Sequence, residues 1–299
     1  VVWSGERRVG ARDVAAEGDR RRLRAAVGEL LAEARAQADL EAVVASGMIT
    51  SNVGLLEVPH LPTPAGLGEL AGGVVVHDFP ELGRIHFIPG LKTLPPVLNA
   101  STLHLADVLR GEEVEVIGLW EQLGLEEPVT FLHFGSHHKA VDCEREGRIL
   151  ASRTALTGEA LEALSRHTLL SSSVLPPEAP GELAREFWRT GLEAAQRHGF
   201  GRALFMVRLG QQLWQRDPAE MRAFLVGALD SLTLPLLPSA PARLVLYGRS
   251  GSAGHLADYL TPRGYAVTQV EPLKAEEAAA LGAARVYALY RGWQGISKP

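Results

Sequence analysis

Two adjacent carboxylates follow a glycine in Arg110-Gly111-Glu112-Glu113. At the first turn of a helix such groups either cap the backbone and complement the helix dipole, or one of them takes a proton from a substrate hydroxyl as a general base. The spacing leaves both uses open. A second segment, Ser46-Gly47-Met48-Ile49-Thr50-Ser51-Asn52-Val53-Gly54, follows a short apolar run at 42–45. Its small residues let a ligand approach the backbone, and Ser51 and Asn52 supply donors and acceptors. Ligands of open α/β sheets sit at such places, beyond the carboxyl ends of strands. Phe134-Gly135-Ser136-His137-His138-Lys139 also follows an apolar run. There Gly135 and Ser136 can offer backbone N–H groups and a hydroxyl to a phosphate. His133, His137 and His138 also invite a reading as metal ligands. Gly135 breaks helical pairing, however, and no Cys or carboxylate stands at ligand spacing, so no metal ligand is assigned. Thr154-Ala155-Leu156-Thr157-Gly158-Glu159 reads as a helix entry with Thr157 as its N-cap. Gly248-Arg249-Ser250-Gly251-Ser252-Ala253-Gly254 lies between a strand and a helix and suits an anion or an adenine nucleotide, although it is neither a Walker loop nor G-x-G-x-x-G.

The elements that must position these segments alternate. Residues 19–38 carry Leu23, Val27, Leu30, Leu31 and Ala34 at helical spacing,. Residues 112–123 repeat the pattern with Val116, Leu119, Trp120 and Leu123. Further helices are expected at 158–170, 182–198, 218–232, 255–260 and 274–290. Strands are expected at 84–88, 129–133, 139–142, 148–154, 242–247 and 265–270. Residues 1–3 and 11–15 read as remnants of strands around a turn at Gly5. Alternation of this kind argues an α/β fold with largely parallel sheets. A boundary near 122–128 divides it into an N-terminal part, 1–125, and a C-terminal part, 126–299. The order of elements is loosely similar in the two parts.

The chain has 299 residues, enough for about two domains,. Hydrophobic residues make up 46% and charged residues 22%, which excludes a disordered or collagen-like chain. Formal net charge is −5 and basic residues do not interleave with aromatics, so neither nucleic acid nor an anionic membrane is an expected partner. No apolar run approaches the ~20 residues of a membrane span. A single cysteine, Cys143, cannot form an internal disulfide, which fits a reducing cytoplasm.

In their order, these segments resemble the 2-dehydro-3-deoxygalactonokinases, a family of sugar-acid kinases. The likeness runs over nearly the whole chain and is carried by Ser46 to Gly54, Ile88-Pro89-Gly90-Leu91, Asp107-Val108-Leu109-Arg110-Gly111-Glu112-Glu113 and the 154–159 segment. It implies an actin/hexokinase-like (ribonuclease H-like) fold: two α/β domains with a central interdomain cleft, the sugar acid on the N-terminal side and the nucleotide on the C-terminal side. It further implies transfer of the γ-phosphoryl of ATP, with Mg²⁺, to the 6-hydroxyl of 2-dehydro-3-deoxy-D-galactonate in bacterial galactonate catabolism.

The resemblance also implies roles. Glu112 becomes the catalytic base, with Glu113 as the alternative. Ser51, Asn52 and Arg110 fall where the sugar acid is held, Arg110 facing its carboxylate. Gly135, Ser136 and His137 resemble a phosphate loop, with Lys139 neutralising phosphate charge. Thr157, Gly158 and Glu159 lie near the nucleotide. Gly248, Ser250, Gly251 and Ser252 resemble an adenosine loop. Three departures stand out: the family's Gly-Thr-His-Cys-Lys-Trp loop is Gly135-Ser136-His137-His138-Lys139-Ala140 here, the adenosine loop carries the bulkier Arg249, and Val1 aligns inside the second strand of an N-terminal hairpin. The resemblance implies an Asp-x-Gly-Thr-type phosphate loop ahead of that point. Two other readings use the same fold: a catalytically inactive pseudokinase that senses a sugar acid or nucleotide, and a sugar-independent ATPase. A homodimer is compatible with all three.

Overall fold

The computed structural model describes residues 3–248 and 251–296. Its elements, in chain order, are α1 (Ala11–Glu17), α2 (Arg21–Gln37), β1 (Val44–Ala45), β2 (Leu61–Pro62), α3 (Leu67–Gly72), β3 (Val75–Phe79), β4 (Gly83–Phe87), β5 (Leu91–Thr93), β6 (Asp107–Leu109) and α4 (Glu112–Gln122). They continue with β7 (Val129–Phe134), β8 (His138–Cys143), β9 (Ile149–Ala155), α5 (Thr157–His167), α6 (Arg185–His198), α7 (Phe200–Gln212), α8 (Pro218–Asp230), β10 (Arg243–Gly248), α9 (Ala253–Leu260), β11 (Ala266–Gln269) and α10 (Pro272–Ile296). The chain forms two compact units. The first contains Val1–Glu127, Cys143–Ser152 and Leu273–Pro299; the second contains Pro128–Asp142 and Arg153–Pro272. The chain thus crosses from one unit to the other near 127, returns over the 143–152 segment, and ends with α10 counted in the first unit.

The α/β class read from the alternation holds. A five-stranded sheet, drawn mainly from second-unit residues, runs β11-β10-β7-β8-β9, with β10 parallel to both β7 and β11. Its central strands β7 and β10 are buried along almost their whole length, as continuous apolar runs require when both faces are covered. Leu132, Phe134, Leu244 and Leu246 of these strands pack with Trp188, Leu192, Leu256 and Leu260. The first unit has two small sheets, β1-β4-β3 and β2-β5-β6. Phe79, Ile85 and Phe87 pack there with Val14 and Leu23 of α1 and α2.

Residues 11–15 are not strand but helix. Asp13, at the third helical position, accepts the Gly10 N–H at 2.8 Å, and Gly18 ends α1 in a left-handed conformation. Local capping outweighs an apolar pattern too short to fix a period. Val1 and Val2 lie outside the described residues. Helix α7 and the β2-β5-β6 sheet were not expected from the sequence, because their apolar periodicity is short or diluted.

Glycines bring helices into backbone contact in both units. A Cβ on Gly118 of α4 would stand 1.9 Å from the Ala278 carbonyl of α10, and one on Gly282 of α10 would stand 1.9 Å from that of Val114. In the second unit a Cβ on Gly227 of α8 would lie 1.8 Å from the Trp188 carbonyl of α6, and one on Gly191 would lie 1.9 Å from that of Phe224. Any side chain there must push the helices apart. We expect Gly118→Ala and Gly227→Ala each to lose about 1–3 kcal/mol or more in urea unfolding. Gly201→Ala in α7, where no atom lies within 4 Å of the added Cβ, should gain about 0.5–1 kcal/mol from helix propensity. Equal effects at the three sites would refute the packing argument.

Candidate functional site

In the first unit the structure brings together the 46–54 loop and the start of α4. Gly47 (φ +82°) and Gly111 (φ +117°) stand back to back, so that a Cβ on Gly111 would lie 3.3 Å from the Gly47 Cα. Both positions favour glycine for their backbone angles, and Gly111 for the space as well. Arg110 fastens the two segments. Its terminal nitrogens donate to the Thr50 carbonyl (2.6 Å), the Thr50 hydroxyl, the Val58 carbonyl (3.0 Å) and the His60 ring (3.0 Å). Burial holds this guanidinium below its usual pKa, against the opposing pull of Glu113 and Glu57. Four contacts engage the terminal nitrogens in structure, so the fork expected to face a sugar-acid carboxylate is a bolt between loops.

Ser51 also serves the loop. Its hydroxyl donates to the Met48 carbonyl at 2.7 Å and accepts the Val53 N–H at 3.3 Å. Asn52 is exposed. Gly54 is required, because a Cβ there would stand 2.2 Å from the Ile49 carbonyl. The two carboxylates divide by burial. Glu113 is fully buried and accepts the Gly111 N–H on both oxygens, at 2.9 and 2.7 Å. Glu112 is half-buried and accepts the Arg110 N–H at 2.9 Å. Both therefore cap the first turn of α4, and Glu112 is the one with access to solvent.

In the second unit Gly135, Thr157, Gly158, Gly251 and Ser252 line one cavity of about 500 Å³, well within the size of small-molecule sites. The starts of α5 and α9 both border it, through Thr157 and Gly158 and through Gly251 and Ser252. Two helix N-termini at one cavity make it favourable to an anion. Thr157 is not the N-cap expected of it but the first helical residue. The Glu159 N–H, one of the helix's unpaired donors, is satisfied by the Ser136 carbonyl at 2.8 Å. That leaves the Thr157 hydroxyl, 3% exposed, with no hydrogen-bond partner. Gly158 lets these loops touch, since a Cβ there would lie 2.3 Å from the Gly135 carbonyl. Gly248 plays the same part against Phe134, whose carbonyl would be 2.3 Å from its Cβ.

Not every expected residue reaches the cavity wall. His137 pairs with Glu159 beside it, at 3.4 Å, and Lys139 is buried within β8. Ser250, with Arg249, lies outside the described residues. The rest of the wall was missed: His138, Leu161, Pro177, Gly181, Glu182, Leu183, Arg222, Val226, Leu229 and Asp230. One signal existed, a lone Asp closing the apolar run 223–229 of α8. Arg222 donates to the Pro177 (2.6 Å) and Ala179 (2.8 Å) carbonyls, and its buried Nε has no partner. Asp230 and His138 stand at 3.8 Å, but burial works against the charged form of each. It pushes the Asp230 carboxyl up to about 6 and, helped by His133, pulls His138 down to about 4. His138 Nδ1 is hydrogen-bonded to the Thr233 hydroxyl at 2.8 Å instead. Among the described residues no group of three or more His, Cys, Asp or Glu is arranged to hold a metal ion, and no helix is long and apolar enough to cross a membrane.

The chain thus combines an α/β fold, an anion-suited, glycine-lined cavity in the second unit and a carboxylate-bearing loop cluster in the first, and its sequence places it among the carbohydrate kinases. The chain belongs to the 2-keto-3-deoxy-galactonokinase family, whose profile matches residues 1–286. It is 29% identical over 247 residues to a Rhizobium meliloti protein assigned as a 2-dehydro-3-deoxygalactonokinase, covering 81% of this chain and 78% of that one. It is 30% identical over 189 residues to the Escherichia coli 2-dehydro-3-deoxygalactonokinase, covering 62% of this chain and 58% of the relative. The crystal structure of a Sinorhizobium meliloti protein with the same assignment superposes with a TM-score of 0.73 at 27% identity, over 91% of this chain and 85% of that one.

The buried His138 generates a prediction. Its folded pKa lies below that of the unfolded chain, so the unfolded state takes up the proton first as pH falls. Stability is therefore lost as pH drops from about 6.5 towards 4. His138→Gln lacks this linkage, and its stability relative to the native chain should rise by about 2–3 kcal/mol between pH 7 and pH 4. Urea unfolding at the two pH values measures this; a constant difference would exclude a buried neutral imidazole.

Proposed function

We propose that the chain transfers the γ-phosphoryl of ATP to the 6-hydroxyl of 2-dehydro-3-deoxy-D-galactonate, a step of bacterial galactonate catabolism. The second unit holds the nucleotide and the first holds the sugar acid. The observation that carries this reading is the cavity bordered by two helix N-termini and the unpartnered, buried Thr157 hydroxyl. A buried hydroxyl without a partner is costly, and a phosphate oxygen would satisfy it. Gly251, where an added Cβ would meet nothing nearer than Leu183 at 3.8 Å, leaves its backbone open to close approach. These residues fit a nucleoside triphosphate. Mg²⁺ would be carried mainly by the phosphates and water, as this ion prefers, and would offset charge on the transferring group.

Phosphoryl transfer asks little covalent chemistry of a protein; positioning and charge neutralisation dominate. Glu112 is the group we assign to accept the proton of the attacking hydroxyl. It is accessible where Glu113 is sealed, and its backbone contact through the Arg110 N–H fixes its direction. Arg110 acts on the sugar acid indirectly, by holding the Thr50–Ser51 corner against α4. Asn52, exposed on the same loop, is the polar side chain offered to the substrate.

ADP release by the full-length gene product, with ATP, Mg²⁺ and a panel of 2-dehydro-3-deoxy sugar acids, tests the reading. We expect release to depend on the sugar acid and to be greatest with the galactonate derivative. Glu112→Gln should lower kcat about 10²–10⁴-fold with KM values near native, whereas Glu113→Gln should act chiefly on stability. ATP turnover that ignores the sugar acid, or sugar-acid binding with no turnover, would overturn the assignment.

A further inference from the structure

Asp230 is the last residue of α8, 1% exposed, at the end of a run of buried residues. Its Oδ2 accepts the Trp188 Nε1–H at 2.7 Å, and the same carboxylate is hydrogen-bonded by Ser252. The apposition follows from the backbone contact of α6 and α8. Gly227, one turn before Asp230, presses on the Trp188 carbonyl, so the indole and the carboxylate emerge side by side. Ser252, itself 1% exposed, precedes α9 as its N-cap residue and lines the cavity next to Gly251. A carboxylate in the wall of an anion-suited cavity opposes its ligand by charge and so needs another reason to be there. Its contacts supply one: they tie the corner before α9 to the α6–α8 pair.

We propose that Asp230 is a positioning residue for the nucleotide, holding Ser252, and with it Gly251 and the N-terminus of α9, on the cavity wall. The proposal rests on the nucleotide reading of that cavity. Asp230 touches no substrate; it acts through Ser252. Trp188 completes the device by fixing the carboxylate from behind.

The test is ATP binding by calorimetry on the whole protein, together with steady-state kinetics. Asp230→Asn keeps an acceptor for the indole and a donor for a rotated Ser252 hydroxyl, whereas Asp230→Leu keeps neither. Asp230→Leu should raise the Kd and KM for ATP about tenfold or more, the scale of a lost charge-assisted hydrogen bond. Its kcat and its KM for the sugar acid should stay near native, and Asp230→Asn should restore most of the ATP affinity. Ser252→Ala should reproduce the loss, and adding it to Asp230→Leu should cost little more. Asp230→Leu that melts earlier but binds ATP like the native chain overturns the proposal, as does a native Kd in Ser252→Ala if Asp230→Leu fails to fold. Native protein that binds no ATP would remove the nucleotide reading as well; native binding with unaffected variants removes only the role of Asp230.

Discussion

Helix backbones in contact at glycines are the constraint on which both halves of the chemistry depend. In the first unit Gly118 and Gly282 seat α4 against α10, and α4 begins with the two carboxylates. In the second unit Gly191 and Gly227 seat α6 against α8, which sets Trp188 beside Asp230. Close packing leaves no slack in such contacts, since interiors are as dense as organic crystals. A group one turn from the contact is therefore placed by it. Arg285 adds a bidentate pair with Glu121 at the surface of the α4–α10 contact, but exposed ion pairs contribute little; the glycines carry the geometry.

The loops then need only local chemistry. Gly111 and Gly47 meet because each adopts a positive φ, and Arg110 spans the gap with donors in a rigid fork. In the second unit the same economy appears in the Ser136 carbonyl. By capping α5 through the Glu159 N–H, it releases Thr157 from the role its sequence position suggests. The released hydroxyl is left buried and without a partner, on a residue that lines the cavity. One hydrogen bond in the loop after β7 thus takes up a helix donor that an N-cap side chain would otherwise hold.

Much of this was legible in the sequence, and the reasons for the rest are physical. The loop segments were visible because glycine, serine and carboxylates cluster where strands stop, and these clusters do converge: 46–54 with 110–113, and Gly135 with Thr157, Gly158, Gly251 and Ser252. The class of fold was visible because alternating elements leave a strong pattern. Capping around Gly10 and Gly18 was misread because a seven-residue helix shows too little period. The α6–α8 wall of the cavity was hidden for another reason. A helix interface made by glycines looks, in sequence, like a helix weakened by them, and Asp230 looks like the end of an amphipathic stretch. Only the backbone contact shows that the glycines bring a carboxylate and an indole together. Ser51 and Arg110 were visible as polar groups, but their engagement with Met48, Thr50 and Val58 depends on the path of the loop.

Charge completes the argument. Adjacent carboxylates in one sequence can have different uses only if their surroundings differ. Glu112 and Glu113 share a helix turn, yet one is sealed with both oxygens on the Gly111 N–H and the other reaches solvent. The sealed one ties the Gly111 backbone to the first turn of α4, and for Glu112 as the proton acceptor proposed above a fixed turn matters, because a base misplaced by an ångström loses most of its advantage. In the second unit burial works against the charged forms of Asp230 and His138, while Arg222 and Glu182 put a basic and an acidic side chain in the same wall. To these the N-termini of α5 and α9 add a positive field that does not titrate. In the nucleotide reading proposed above, affinity should therefore follow the placement of those helix ends as well as the charge of the side chains between them.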